Sequence, residues 1–151
     1  MQPIAPKRWA WLFPLTYLLH LSEEFWGGEG FPSWVSRVAG AHFSNQDFLI
    51  LNAVGLVMVT AGAMLIYKKS WHWLLIALSG IVLLNGLLHV VVSLLTRTYS
   101  PGAVTGLLCW IPLGTFLWWR EWQQVERRIF WIGASLAFAL HTIVSALALL
   151  G

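Results

Sequence analysis

Disulfides and a solvated surface are both missing from this 151-residue sequence. Its single cysteine, Cys109, lies within an apolar run, so no internal disulfide can staple the fold. Charge is also scarce: 10% of residues are charged and 58% are hydrophobic. That is too little charge to solvate a single domain of this length, which excludes a soluble globule and leaves an integral membrane protein. There is no nucleophile elbow, Gly-rich phosphate loop or Cys-x-x-Cys pair. The formal net charge of +3 comes from basic residues scattered among short loops, with no basic stripe, so nucleic acid is not expected as a partner. Internal repeats, low-complexity tracts and a second domain are absent too.

What the chain does have is apolar length. Five segments read as spanning helices of a single all-α, polytopic bundle covering residues 1–151: Trp9–Trp26, Phe48–Tyr67, Trp71–Leu95, Gly102–Trp119 and Phe130–Leu150. The N-terminal segment resembles a signal peptide, but no small-x-small cleavage site follows it, and an uncleaved first span is expected. Lys7, Arg8, Lys68, Lys69, Arg120, Arg127 and Arg128 then fall on one side, and only Arg37 and Arg97 on the other. The positive-inside rule makes the first side cytoplasmic, which places the N-terminus there and the protein in the cytoplasmic (inner) membrane. Of the eleven tryptophans, Trp9, Trp11, Trp71, Trp73, Trp118, Trp119, Trp122 and Trp131 lie at the same helix ends, as an interfacial belt requires. The one long connection, residues 27–47, carries "FPSWVSRVAGAHF", which can form a short interfacial helix.

Polar residues inside spans are costly, and the few present share a depth. Counting ~1.5 Å per residue, His20 lies roughly 16 Å above Trp9, with Glu23 and Glu24 at about 21 to 23 Å. Asn85 and His89 lie roughly 21 and 27 Å above Trp71, and His141 roughly 17 Å above Phe130. His20 is three and four residues from Glu23 and Glu24, and Asn85 is four from His89, so each set can share a helix face. Ionisable groups gathered in the exterior-facing half of a bilayer mark a functional site.

Imidazole and carboxylate suit a divalent metal, zinc first and iron as an alternative, held by His20, His89, His141 and Glu23 or Glu24. The remaining glutamate is then free to act as general base, with Asn85 and Tyr99 orienting substrate. Without metal, the same groups could exchange protons in an isomerase or a small proton-coupled carrier, or simply lock the helices together. In "TYSPG", Pro101 preorganises the fourth helix and Ser100 is placed to cap it. His42 and His72 read as solvated membrane-edge residues. The hydroxyls of Ser79, Ser93 and Thr105 read as bonding to their own helices or supporting helix contacts.

"HLSEE" (residues 20–24), "NGLLH" (85–89) and "YSPG" (99–102) follow one another in the order of the HxxEE, NxxxH and YxPG motifs. In these the sequence resembles the HXXEE-domain family, small membrane proteins for which a catalytic role is presumed. The resemblance implies that His20, Glu23, Glu24, Asn85, His89 and Tyr99 are signature positions; His141 rests on depth alone. The resulting expectation is a metal-dependent membrane hydrolase acting on a lipid or other apolar small molecule from the outer leaflet. Homo-oligomerisation is an open possibility.

Overall fold

The computed structural model describes residues 6–150, and the regular elements among them are helices joined by short turns. After a 3-10 turn at Pro6–Arg8 come α1 (Leu12–Trp26), α2 (Phe31–Ala39), α3 (Asn45–Lys69) and α4 (His72–Thr96). A continuous helical run follows, as α5 (Ala103–Thr105), a π-helical turn (Gly106–Trp110) and α6 (Ile111–Gln124), and α7 (Arg127–Leu150) closes the order. There is no strand among the described residues. Three helices, α3, α4 and α7, are long and apolar enough to cross a membrane. α1 has only 15 residues, roughly 22 Å of helix, and the α5–α6 run is interrupted.

Each boundary has a local cause. Ser44 and Asp47 form a reciprocal capping box that starts α3. α2 occupies the long connection, opening at Gly30 with Pro32 in its first turn and stopping at the left-handed Gly40. The π turn directly precedes Pro112, which has no N–H to bond the carbonyl four residues back. A wider turn over Gly106–Trp110 absorbs that missing bond and shifts the helical phase.

α4 is the central element. Half of its apolar window is buried, against 17% for α3 and 22% for α7, and it packs most extensively on α7 and α6. One buried cluster joins Phe13, Ile66, Leu75 and Leu117 across α1, α3, α4 and α6. A second, built from Trp34, Phe43 and Phe48, seats α2 against α3. The outward faces are strongly apolar, with Leu15, Val57, Leu94 and Leu108 among many exposed aliphatic side chains, as lipid-facing helices require.

The two ends of the bundle differ chemically. α1 and α3 run oppositely, since Trp11 near the start of α1 meets Tyr67 near the end of α3. The starts of α1, α4 and α7 therefore share one end with the finishes of α3 and α6, and this end collects the seven basic residues grouped above. Trp71 stacks on Trp73 there, and Trp122 packs on Phe130 and Trp131. Two expectations are corrected at this end. α6 continues to Gln124 instead of ending at Trp119, so Arg120 is buried beside Glu121 and does not stand in a solvated loop. His72 is tied to Glu121 through Nδ1 at 2.5 Å and is not a free edge residue.

Helix contact at the centre depends on small residues. A Cβ at Gly114 of α6 would lie 2.6 Å from Leu83 Cβ and 2.7 Å from the Ser79 carbonyl oxygen. Gly114→Ala must push α6 away from α4, so thermal unfolding in detergent should show a destabilisation of ~1–3 kcal/mol. An unchanged transition would contradict this packing.

Candidate metal centre

Three of the polar residues placed at common depth meet in the bundle. His20 and Glu24 stand one turn apart on α1, and His89 faces them from α4; they are 2%, 6% and 5% exposed. Glu24 Oε1 lies 3.5 Å from His20 Nε2 and 3.2 Å from His89 Nε2. One ligand atom from each residue falls within 4.8 Å of the others. Two ligands bound to zinc at ~2.1 Å with a tetrahedral angle stand roughly 3.4 Å apart, so the two distances to Glu24 suit a single ion. Two imidazoles and a carboxylate also leave a coordination position open. Trp110 stacks on His20 with centroids 3.6 Å apart, and Phe31 leans on His89 at 5.5 Å, which keeps the surroundings apolar.

The orientation of both rings follows from what holds their other nitrogens. His20 Nδ1 lies 2.7 Å from Thr105 Oγ1, and His89 Nδ1 lies 2.9 Å from Ser100 Oγ. Thr105 has one hydroxyl proton, which it donates to Glu23 Oε2 at 2.5 Å. Its oxygen can then only accept from His20, which puts a proton on Nδ1, so that in the neutral imidazole Nε2 is the lone-pair nitrogen. That Nε2 is buried and has no hydrogen-bond partner among the described residues. A buried nitrogen without a partner is costly, and a metal ion is one group that would relieve it. Anchoring the far nitrogen of each histidine is also how metal-ligating imidazoles are aimed.

Glu23 does something different from its neighbour. Its carboxylate accepts from the backbone N–H of Val104 at 2.8 Å and of Thr105 at 2.6 Å. Gly102 is the N-cap of α5, so these are the second and third N–H groups of that helix, the ones a capping side chain normally satisfies. A carboxylate from α1 thus caps α5, favoured by the positive end of the helix dipole. Tyr99 adds a fourth bond, donating its hydroxyl to Glu23 Oε1 at 2.6 Å. Partial burial, and then the Glu23 carboxylate, push the Tyr99 phenol well above its ordinary value. With the folded value raised, this bond is intact below the usual tyrosine range and is lost only as pH climbs through the raised value.

The family model described as a protein of unknown function with HXXEE motif matches residues 11–117. The chain belongs to the HXXEE family. No curated protein and no solved structure matched it.

The geometry divides the HXXEE signature between two tasks. The histidine and the final glutamate of the motif, His20 and Glu24, converge with the histidine of the second motif, His89. The first glutamate, Glu23, turns away to cap α5 and hold Tyr99, and so stands apart from the converging trio. Asn85 sits one turn before His89, its Oδ1 buried and unpartnered among the described residues. His141 is half-buried on α7 and is not one of the three convergent residues. The glycine of the YSPG motif has a steric reason. Gly102 has φ of 101°, and a Cβ there would lie 2.8 Å from His20 Cε1 and 2.9 Å from His89 Cε1. It roofs the two rings, where only glycine fits.

Thr105 and Ser100 are the site residues that sequence reasoning missed in these roles. Ser100 is not the helix cap expected from sequence: the cap is Gly102, and Ser100 supports His89 instead. Ser93 similarly accepts from the Ser100 backbone N–H at 2.9 Å, steadying the turn from α4. The only signal in the sequence was a pair of hydroxyls close to a turn beside a histidine motif.

The wiring of His20 can be tested without any metal. Nitrogen NMR of the metal-free protein should show His20 protonated at Nδ1 in wild type and in Thr105→Ser, which keeps the hydroxyl. Thr105→Val should mix the tautomers. A wild-type His20 protonated at Nε2 would contradict the assignment.

Proposed function

We propose that this protein is a membrane-embedded, metal-dependent enzyme whose ion is held by His20 Nε2, His89 Nε2 and Glu24. The observation that carries the proposal is the convergence of three buried ligand atoms at metal-like spacing, one of them a nitrogen without another partner. Zinc is the expected ion; iron is the alternative, because two histidines and one carboxylate with open positions also suit non-haem iron. A divalent ion there supplies Lewis acidity and lowers the pKa of water, the chemistry of a hydrolase.

The residues of the chain have separable tasks in this reading. Ser100 and Thr105 aim the two imidazoles, Glu23 holds Thr105 and the α5 terminus in place, and Trp110 excludes water from one ring face. Asn85 and Tyr99 orient the substrate, Asn85 from below through its free carbonyl oxygen and Tyr99 from the exposed side. Glu23, engaged by four donors, positions the site and does not serve as its base.

The substrate in this reading is a lipid or another apolar molecule reaching the site from the outer leaflet. A lipid-facing groove of about 260 Å³ between α4 and the α5–α6 run supports it. Val90, Leu94, Val104 and Leu107 are among its lining residues. Val90 follows His89 directly, and Val104 is one of the residues that Glu23 caps. We take α1 and the α5–α6 run to cross the membrane as well, giving five spans. The basic end then faces the cytoplasm with the N-terminus, in the inner membrane, and the metal centre lies in the exterior half.

A metal-free reading has one observation in its favour: at 3.2 Å, Glu24 and His89 are within hydrogen-bonding reach of each other. That pair alone would suit an isomerase or a proton-coupled carrier.

Elemental analysis of protein purified without chelators separates the two. About one divalent ion per chain is expected in wild type, with near-complete loss in His89→Ala and Glu24→Gln. Glu23→Gln should retain the ion with ~10–100-fold weaker affinity, since it acts through Thr105. Wild type without metal would overturn the metal-dependent reading and leave the acid–base one.

A further inference from the structure

A second group of buried ionisable residues lies at the basic end, away from the metal centre. Glu121 is fully buried, its Oε1 accepting from Arg120 Nη1 at 2.9 Å and its Oε2 lying 2.5 Å from His72 Nδ1. This network pins the first residue of α4 to the final turns of α6. It also fixes one wall of an open groove of about 490 Å³, lined by Ser70, Trp71, His72, Trp73, Ile129 and Ile132.

The groove is mostly apolar, yet its rim is cationic. Lys68 and Lys69 immediately precede Ser70, and Arg127 and Arg128 immediately precede Ile129; all four are exposed. Arg127 lies over the Trp122 ring, which leaves Lys68, Lys69 and Arg128 as exposed cations adjoining the groove walls in sequence. The acidic residues nearby are Glu126, exposed beside Arg127, and Glu121, already paired inside the bundle. α4 begins here with no side-chain cap and no acidic residue in its first turn, so its leading N–H groups add to the positive field. Trp71 and Trp73 stack together in the groove wall, at the helix ends where indoles mark the headgroup layer.

We propose that this groove binds one anionic phospholipid. The phosphate sits at the start of α4 among Lys68, Lys69 and Arg128, and an acyl chain lies along Trp73, Ile129 and Ile132. The charge of the rim selects an anionic headgroup over a zwitterionic one, and the apolar floor selects a lipid over a free anion. The Glu121–Arg120–His72 network keeps the wall in register with α6, which gives this buried ion pair a structural role.

Native mass spectrometry of the full chain, released from neutral detergent, reads this directly with phosphatidylglycerol, phosphatidylcholine and glycerol phosphate as probes. One phosphatidylglycerol per chain is expected to be retained at least tenfold better than phosphatidylcholine, and glycerol phosphate should not be retained. Lys68→Gln/Lys69→Gln/Arg128→Gln, which alters exposed side chains only, should remove that preference, whereas Arg97→Gln at the opposite end should keep it. Ile132→Trp, which fills the groove without changing charge, should also lose the lipid. Equal retention of the two lipids, equal binding of glycerol phosphate, or undiminished binding by Ile132→Trp would each overturn the proposal. So would a groove filled by a second copy of the chain, seen as a dimer that excludes lipid.

Discussion

The capping of α5 by a carboxylate from α1 is the contact on which the rest of the site depends. Four orphan N–H groups begin every helix, and within a bundle they need partners from the chain itself. Here Glu23 partners two of them from a different helix, accepting from Val104 N–H and Thr105 N–H together. The same carboxylate accepts a hydrogen bond from the Thr105 hydroxyl, and that transfers orientation to His20. Tyr99 closes over the cap, and Pro101 and Gly102 bring the turn down onto both imidazoles. One side chain thus fixes where two helices meet, which tautomer His20 adopts and how the roof sits.

This explains why two adjacent glutamates differ so much. Residues one apart on a helix are separated by about 100°, and both can share a face with His20 at offsets of three and four. Glu24 faces α4 and His89; Glu23 faces the start of α5. The choice between them depends on where α5 begins, and that in turn depends on the φ of 101° at Gly102 and the π turn before Pro112. None of those is visible from spacing.

What was legible follows from the same physics. Lipid imposes long apolar segments, so the helices now seen as α3, α4 and α7 could be read to within about three residues, as could the gathering of most basic residues at one end. The depth count brought His20, Glu24 and His89 to one level, and they meet there. It included His141 as well, which is half-buried on α7 and is not among the three convergent residues. Thr105 and Ser100 were unreadable in their roles because a hydroxyl can bond its own helix or a neighbour, and packing decides which. Arg120 was expected on the solvated basic side because hydropathy treats each charge singly; paired with Glu121, it is buried in the bundle.

Two polar centres, one at each end of a short bundle, are an economical design for a protein with few charges. One gathers lone pairs in an apolar pocket; the other gathers cations around an apolar groove. X-ray absorption at the metal edge of the purified protein addresses the central claim most directly. The account predicts two imidazole nitrogens with additional oxygen ligands at ~2.0–2.2 Å and no sulfur. A metal-loaded protein whose spectrum lacks imidazole scattering, or shows a thiolate from Cys109, would contradict it.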